Sequence, residues 1–190
     1  MHRRHPVRAG AAALIAAVLL AAGGAHGAGS AGAAPLREIG AGSLHWFGLH
    51  VYDARLAVAG ERFDPAQPFA LTLRYAREFK GERIAQASIE EIRRLGYGTA
   101  ADHELWLEAM QRVFPDVKAG EELTGAVIPG RGTRFFHNGR LVGTIYDPAF
   151  AQAFYAIWLD PRTRTKDLRA KLLGEGACAG SAADPAAARC

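Results

Sequence analysis

The chain has 190 residues, of which 49% are hydrophobic, 22% charged and 9% aromatic, a composition typical of globular proteins and unlike that of disordered or fibrous ones. Its formal net charge is +4 at pH 7, but Arg3, Arg4 and Arg8 lie in the first 28 positions, and the rest of the chain carries 20 basic against 19 acidic residues. It therefore lacks the basic surface with which nucleic-acid-binding proteins neutralise phosphates.

Residues 1–28 have the features of a secretory signal peptide. The three arginines precede an apolar run at 11–22, and small residues such as Ala25 and Gly27 follow it. A run of about 12 residues is typical of signal peptides and shorter than the ~20 that span a membrane. We therefore expect a periplasmic or secreted protein whose leader is removed and which then has no membrane span.

Residues 36–174 contain no linker and no internal repeat, so we interpret them as one domain. Alternation of period two predicts strands, because successive side chains of a strand point to opposite faces. It occurs over 44–58, as one long strand or a bent pair, and over 69–75. Three more strands are predicted at 123–128, 133–137 and 140–146, with Asn138 and Gly139 indicating a type I′ hairpin turn.

Helical spacing of apolar residues predicts four helices. The first covers 82–95 and ends at Gly96, and the second runs from the cap residue Thr99 to position 114. The third begins at Asp147, and a short fourth covers 166–173. The resulting order, β-β-α-α-β-β-β-α-α, favours an α+β fold in which helices cover one face of an antiparallel sheet.

Residues 175–190 form an Ala/Gly-rich tail that holds both cysteines of the chain, Cys178 and Cys190. A disulfide between them is permissible in an exported protein, and a tail with free or intermolecular thiols is an equal alternative. Since no Cys-x-x-Cys is present, neither a structural zinc site nor a thioredoxin-type redox pair is supported.

The domain carries no motif of a metal, nucleophile or phosphate site. Five positions apart on one strand, His45 and His50 would point to opposite faces and would not share a metal. There is no Gly-x-Ser-x-Gly motif, and the glycines at 130 and 132 join two strands instead of opening a helix. A haem with a single axial histidine is compatible with these residues.

Several strings, together with the order of elements, resemble the chalcone isomerase-like family, and in particular its exported bacterial branch. They are WFGLHVYD at 46–53, the strand at 69–75 leading into KG at 80–81, RLG at 94–96, FPDVKAG at 114–120 and IWL at 157–159. The resemblance covers residues 36–174. It implies an open-faced β-sandwich, an antiparallel sheet with a helical layer on one face, and a ligand cleft between the two.

The resemblance also implies that the catalytic positions of plant chalcone isomerases are substituted here. Their threonine falls on Phe47, their tyrosine on Lys80 and their asparagine on Ala87, while their arginine falls near Arg37. Phe47 and Ala87 donate no hydrogen bond, so the donors that would stabilise a developing enolate are missing, and one such donor is commonly worth about 10²–10³ in rate. We therefore expect a protein that has lost isomerase activity.

The cleft implied by the resemblance is lined by Phe47, Leu49, Ile84 and Ala87, with Lys80 and Arg37 near its mouth. An apolar slot with a cation suits a fatty acid, which non-catalytic family members bind; other members bind haem, for which His45 would be the axial ligand. Two alternatives stand beside this hypothesis: an isomerase of the chalcone isomerase type, and a structural or partner-binding domain without ligand. Phe47 and Leu49 would then be ordinary core residues and Lys80 a solvated loop residue.

Overall fold

A computed structural model describes residues 35–175. The predicted signal peptide at 1–28 and positions 176–190, with Cys178 and Cys190, lie outside these described residues. The bounds of the strands and helices are β1 Arg37–Trp46, β2 Leu49–Val58, β3 Phe69–Tyr75, α1 Gly81–Leu95, α2 Ala100–Val113, β4 Glu122–Ile128, β5 Gly132–His137, β6 Arg140–Ile145, α3 Pro148–Leu159 and α4 Lys166–Leu172. Between positions 35 and 175, no helix is both long enough and apolar enough to cross a membrane.

The six strands form one antiparallel sheet in the order β1-β2-β3-β4-β5-β6. The helix pair α1–α2 is inserted between the neighbouring strands β3 and β4. Helices α2, α3 and α4 contact the sheet, and α1 contacts both α2 and α3. Alternate strand residues are buried beneath this layer, among them Leu56, Leu71, Leu73 and Phe135. The predicted α+β fold, with helices on one face of an antiparallel sheet, is confirmed.

The opposite face of the sheet is polar. The Arg55 guanidinium is 2.7 Å from a carboxylate oxygen of Glu122, and the hydroxyls of Thr72 and Thr124 are hydrogen-bonded across β3 and β4 at 2.9 Å. Cross-strand pairs of this kind stabilise a solvated sheet face. The alternation predicted for 69–75 is confirmed, because Phe69, Leu71, Leu73 and Tyr75 are buried and Arg74 is exposed.

The structure has six strands, because residues 44–58 form the bent pair that was one of their two predicted alternatives. Residues 44–58 form the end of β1 and all of β2, joined by a turn at Phe47 and Gly48, and β1 begins already at Arg37. The start of β1 is rich in small residues with weak strand propensity, so its sequence does not predict a strand. The small residues allow α4 to pack on β1, because a Cβ at Gly40 would clash with the carbonyl oxygen of Lys171.

The predicted turn and caps are confirmed. Asn138 and Gly139 both have positive φ, 49° and 79°, as a type I′ turn requires. The Thr99 hydroxyl accepts a hydrogen bond from the Asp102 amide, and the Asp102 carboxylate accepts one from the Thr99 amide in return. Asp147 accepts hydrogen bonds from the first amides of α3 and so caps that helix.

Candidate functional site

A pocket of about 330 Å³ opens between the helical layer and the end of the sheet where β2 begins and β3 ends. We call it the α1–α3 pocket. Its floor is formed by Tyr52, Leu73 and Tyr75, and its walls are helical side chains. The full lining is Leu44, Trp46, Val51, Tyr52, Leu73, Tyr75, Phe79, Arg83, Ile84, Ala87, Ser88, Glu90, Glu91, Leu123, Phe154, Ile157, Trp158, Thr163, Arg164 and Thr165. Most of these side chains are apolar, so the pocket suits an apolar guest.

Helix spacing brings the wall residues together. On α1, Ile84, Ala87 and Ser88 lie three and four positions apart and therefore share one side of the helix. Helix α3 contributes Ile157 and Trp158 from the facing wall. The Ser88 hydroxyl donates a hydrogen bond of 2.8 Å to the carbonyl of residue 84, so it is already satisfied within the helix. The short side chain of Ala87 leaves part of this volume open.

Two phenols and an indole provide the polar groups of the floor. The Trp158 Nε1–H donates a hydrogen bond of 2.8 Å to the Tyr52 hydroxyl, and Tyr75 is the cross-strand neighbour of Tyr52. Burial raises the pKa of Tyr52 to about 12, and it raises the pKa of Tyr75 well above its ordinary range. Both phenols therefore keep their protons near neutral pH, so they act as hydrogen-bond donors and supply no phenolate base.

Charged side chains surround the mouth of the pocket. Glu91 is held by two arginines, with Arg94 at 2.7 Å from one carboxylate oxygen and Arg164 at 2.7 Å from the other. The Glu90 carboxylate accepts a hydrogen bond from the side-chain amide of Gln86, one turn earlier on α1. Arg83, in the first turn of α1, also lines the pocket, and among residues 35–175 it has no hydrogen-bond or ion-pair partner for its guanidinium. The mouth therefore presents an arginine that is available to an anionic ligand group.

The structure places only two of the predicted site residues in the pocket. Ile84 and Ala87 line the α1–α3 pocket, whereas Phe47 and Leu49 lie at the β1–β2 turn outside the lining, with 91% and 55% of their surface exposed. The turn is the reason, since it interrupts the alternation on which their inward direction was predicted.

The two predicted cations also lie outside the lining. Lys80 precedes α1 and its ammonium is 2.7 Å from Asp116, which raises the pKa of Lys80 and lowers that of Asp116. Arg37 begins β1, at the other end of that strand from the pocket, and donates a hydrogen bond to the carbonyl of Glu61.

The two strand histidines are neighbours, contrary to the prediction that they point to opposite faces. His45 and His50 pair across β1 and β2, and their rings stack with centroids 4.9 Å apart. His50 also lies 2.9 Å from the Asp53 carboxylate, which accepts a hydrogen bond from Ser43. Across residues 35–175, no three His, Cys, Asp or Glu side chains are grouped as metal ligands would be. The lining of the α1–α3 pocket contains no histidine, so its residues do not fit a histidine-ligated haem.

Of the twenty lining residues only Ile84 and Ala87 were predicted, and four of the missed residues supply the polar groups discussed above: Tyr52, Tyr75, Arg83 and Trp158. Two signals in the sequence point to some of them. Tyr75 has the strand parity of the buried face of β3, and Arg83 lies four positions before Ala87, which places both on one side of α1. Nothing in the sequence alone indicates that Trp158 donates a hydrogen bond to a residue 106 positions away.

A second depression, of about 510 Å³, lies between α3 and the ends of β3 and β4 that are remote from the first pocket. Its one charged lining residue is Asp160, whose carboxylate accepts hydrogen bonds of 3.0 and 2.8 Å from the Arg162 guanidinium. These hydrogen bonds hold the pKa of Asp160 far below its usual range. This depression thus offers no unpaired charge to orient a ligand, and the α1–α3 pocket is the better candidate site.

Comparison with known proteins identifies the family. The family model described as chalcone isomerase-like matches residues 40–174. The chain belongs to the chalcone isomerase-like family. An uncharacterized protein of Haemophilus influenzae is 32% identical over 140 residues, which cover 73% of this chain and 68% of that protein. Among solved structures, a fatty-acid binding protein of Arabidopsis thaliana matches with a TM-score of 0.59 at 13% identity, covering 76% of this chain and 91% of that one.

Within the chalcone isomerase-like fold, the positions matched to plant catalytic residues are dispersed in this chain. Phe47 lies at the exposed hairpin turn, Lys80 is paired with Asp116, and only Ala87 lines the α1–α3 pocket. None of the three therefore places a hydrogen-bond donor in the pocket. The arrangement can bind and orient a molecule through Arg83 and the buried phenol of Tyr75, but it contains no preformed oxyanion site at these positions.

Proposed function

We propose that this chalcone isomerase-like protein is an exported, non-catalytic binding protein for a fatty acid or a closely similar apolar acid. The observation that carries the proposal is the α1–α3 pocket, an apolar volume of about 330 Å³ with Arg83 at its mouth, whose guanidinium has no partner among residues 35–175. The acyl chain would fill the apolar volume and the carboxylate would meet the guanidinium. Charge-assisted hydrogen bonds from arginine to a carboxylate are strong and often bidentate.

Two further observations support the proposal. The name of the Arabidopsis neighbour states that it binds fatty acid, and it shares the fold of this chain. The composition of residues 1–28 supports export, because it has the cationic start and apolar run of a signal peptide. Catalysis has weaker support, since the pocket phenols hold their protons and both oxygens of Glu91 are engaged by arginines.

The test is a displacement titration with a fluorescent fatty acid on delipidated protein. We expect Arg83→Gln to weaken binding about 10- to 100-fold, since a hydrogen bond to a charged group is worth about 1.5–3 kcal/mol. Arg93→Gln is the matched control, because it removes an arginine exposed on the same helix but outside the lining. We expect Ala87→Phe to abolish binding by filling the pocket.

The methyl ester of the same fatty acid separates the charge contact from the apolar contact. Wild-type protein should bind the ester as weakly as Arg83→Gln binds the acid, and Arg83→Gln should bind both equally. Equal affinities of Arg83→Gln and Arg93→Gln for the acid would contradict the role of Arg83. Unchanged binding in Ala87→Phe would contradict the pocket, and turnover of a chalcone by the wild-type protein would favour the isomerase alternative.

A further inference from the structure

The turn between β1 and β2 exposes three large apolar side chains in four consecutive residues. Trp46, Phe47 and Leu49 have 56%, 91% and 55% of their surface exposed, and the fourth residue is Gly48. We call residues 46–49 the hairpin tip. It carries no charged residue, and the Trp46 and Phe47 rings pack edge to face on each other at 5.3 Å. Single exposed apolar residues are ordinary, whereas a cluster of them indicates an interaction surface.

The backbone of the hairpin tip is not explained by folding. Phe47 has φ of +49°, a left-handed conformation that residues with a Cβ adopt at a cost and that Asn and Gly adopt readily. The β5–β6 hairpin has Asn138 at the same turn position with the same φ. Phenylalanine at this position gains almost no burial in return, which is expected of a residue retained for a function.

The hairpin tip adjoins the mouth of the α1–α3 pocket. Trp46 belongs to both, because it lines the pocket and is more than half exposed at the tip. Leu44 and Val51, each two positions from the ends of the tip, also line the pocket. A surface that contacts the tip therefore faces the opening through which a ligand would enter.

The charges that line the mouth are balanced. Arg83 and Arg164 stand against Glu90 and Glu91, so the four charged lining residues have no net charge. The hairpin tip carries no charge, and its exposed side chains are aromatic or aliphatic. An uncharged cluster of this composition matches the chemistry of a membrane–water interface, where Trp is enriched.

We propose that the hairpin tip docks the protein on a lipid bilayer, with Trp46, Phe47 and Leu49 entering the interface, so that a fatty acid passes between the bilayer and the pocket. This inference rests on the proposed function, because it supplies the route to the same site. A second protein chain is a poorer occupant. Four residues are far fewer than the roughly 20–30 that each partner contributes to a stable protein interface.

The test is co-sedimentation of the full protein with vesicles of phosphatidylcholine, with and without phosphatidylglycerol. We expect binding to both kinds of vesicle, because the tip is uncharged, and we expect Phe47→Asn and Leu49→Ser each to weaken this binding at least about 10-fold. Leu105→Ser is the matched control, because Leu105 is 63% exposed on α2 and away from the tip, and it should bind as the wild type does. Brominated acyl chains should quench Trp46 in the bound protein.

Three results would overturn the proposal: no vesicle binding by the wild type, binding that survives both tip variants, or a dimer in sedimentation velocity that the tip variants dissociate. Affinity for free fatty acid in solution is measured on the same proteins. Phe47→Asn should leave this affinity unchanged while it slows transfer of fatty acid from vesicles. Intact solution affinity without vesicle binding would reject only the membrane contact, whereas vesicle binding without fatty-acid affinity would reject the proposed function.

Discussion

Fatty-acid affinity should rise with chain length until the acyl chain fills the α1–α3 pocket and should then level off. Each buried methylene contributes about 0.8 kcal/mol, which corresponds to about a fourfold gain in affinity per carbon. If a methylene occupies ~30 Å³, as a water molecule does, the volume of about 330 Å³ holds roughly eleven carbons. Carbons beyond that length remain in solvent and add little.

The assay is competitive displacement with a series of saturated fatty acids that begins well below this length and ends well above it, each kept below its micelle concentration. Wild-type protein should show a steep rise and a plateau. A variant with a partly filled pocket, Ala87→Val, should reach its plateau at a shorter chain. An affinity that does not depend on chain length, or one that climbs steadily through the whole series in both proteins, would refute the assignment of the acyl chain to this pocket.

Three further predictions concern stability. Because burial raises the pKa of Tyr52 to about 12 and that of Tyr75 further, the folded protein retains protons that the unfolded chain loses near pH 10. This contribution to the free energy of unfolding is complete below pH 10 and should fall above pH 10 by about 1.4 kcal/mol per pH unit for each such tyrosine. In denaturant titrations above pH 10, Tyr75→Phe should reduce the slope of the free energy of unfolding against pH by the share of one tyrosine. A Cβ at Gly125 would lie 2.6 Å from the Tyr155 hydroxyl, so Gly125→Ala should cost about 1–3 kcal/mol in urea unfolding. Tyr155→Phe should recover at least half of that cost, because it removes the clashing hydroxyl, which is buried and has no hydrogen-bond partner in the described part of the chain. Additivity of the two changes within about 0.5 kcal/mol would contradict this contact. Phe47→Asn should raise the free energy of unfolding by about 0.5–1 kcal/mol, because asparagine tolerates the left-handed turn position; a lower melting temperature would show that the phenylalanine side chain stabilises the hairpin.

Local signals in the sequence predicted most of the fold. The Asn138–Gly139 turn, the Thr99 cap and the Asp147 cap each depend on a few adjacent residues, and all three have the predicted geometry. The first strand was only partly predicted, because its small residues satisfy a requirement that comes from α4, more than a hundred positions later. Gly40 is needed because the backbone of Lys171 packs closely against it, and the residues around Gly40 do not predict a contact with so distant a part of the chain.

The site was less predictable than the fold because it joins side chains from elements far apart in sequence. Ile84 and Ala87 were predicted because both lie on one helix at helical spacing. Lys80 was expected at the pocket mouth, but Asp116, 36 positions later, holds it elsewhere, and Arg83 lines the mouth instead. The predicted inward direction of Phe47 required residues 44–58 to form one strand. Because a turn lies at this position, alternation does not tell which face of the sheet the Phe47 side chain points to.

The left-handed turn position of the first hairpin departs from local folding preference. Folding alone would favour asparagine in place of Phe47 at this position. The equivalent turn of the other hairpin follows that preference with Asn138. Natural sequences break local rules mainly where function requires it. An open apolar pocket and an exposed aromatic turn beside its mouth have a common explanation if the same end of the sheet both holds an apolar ligand and contacts the surface from which that ligand comes.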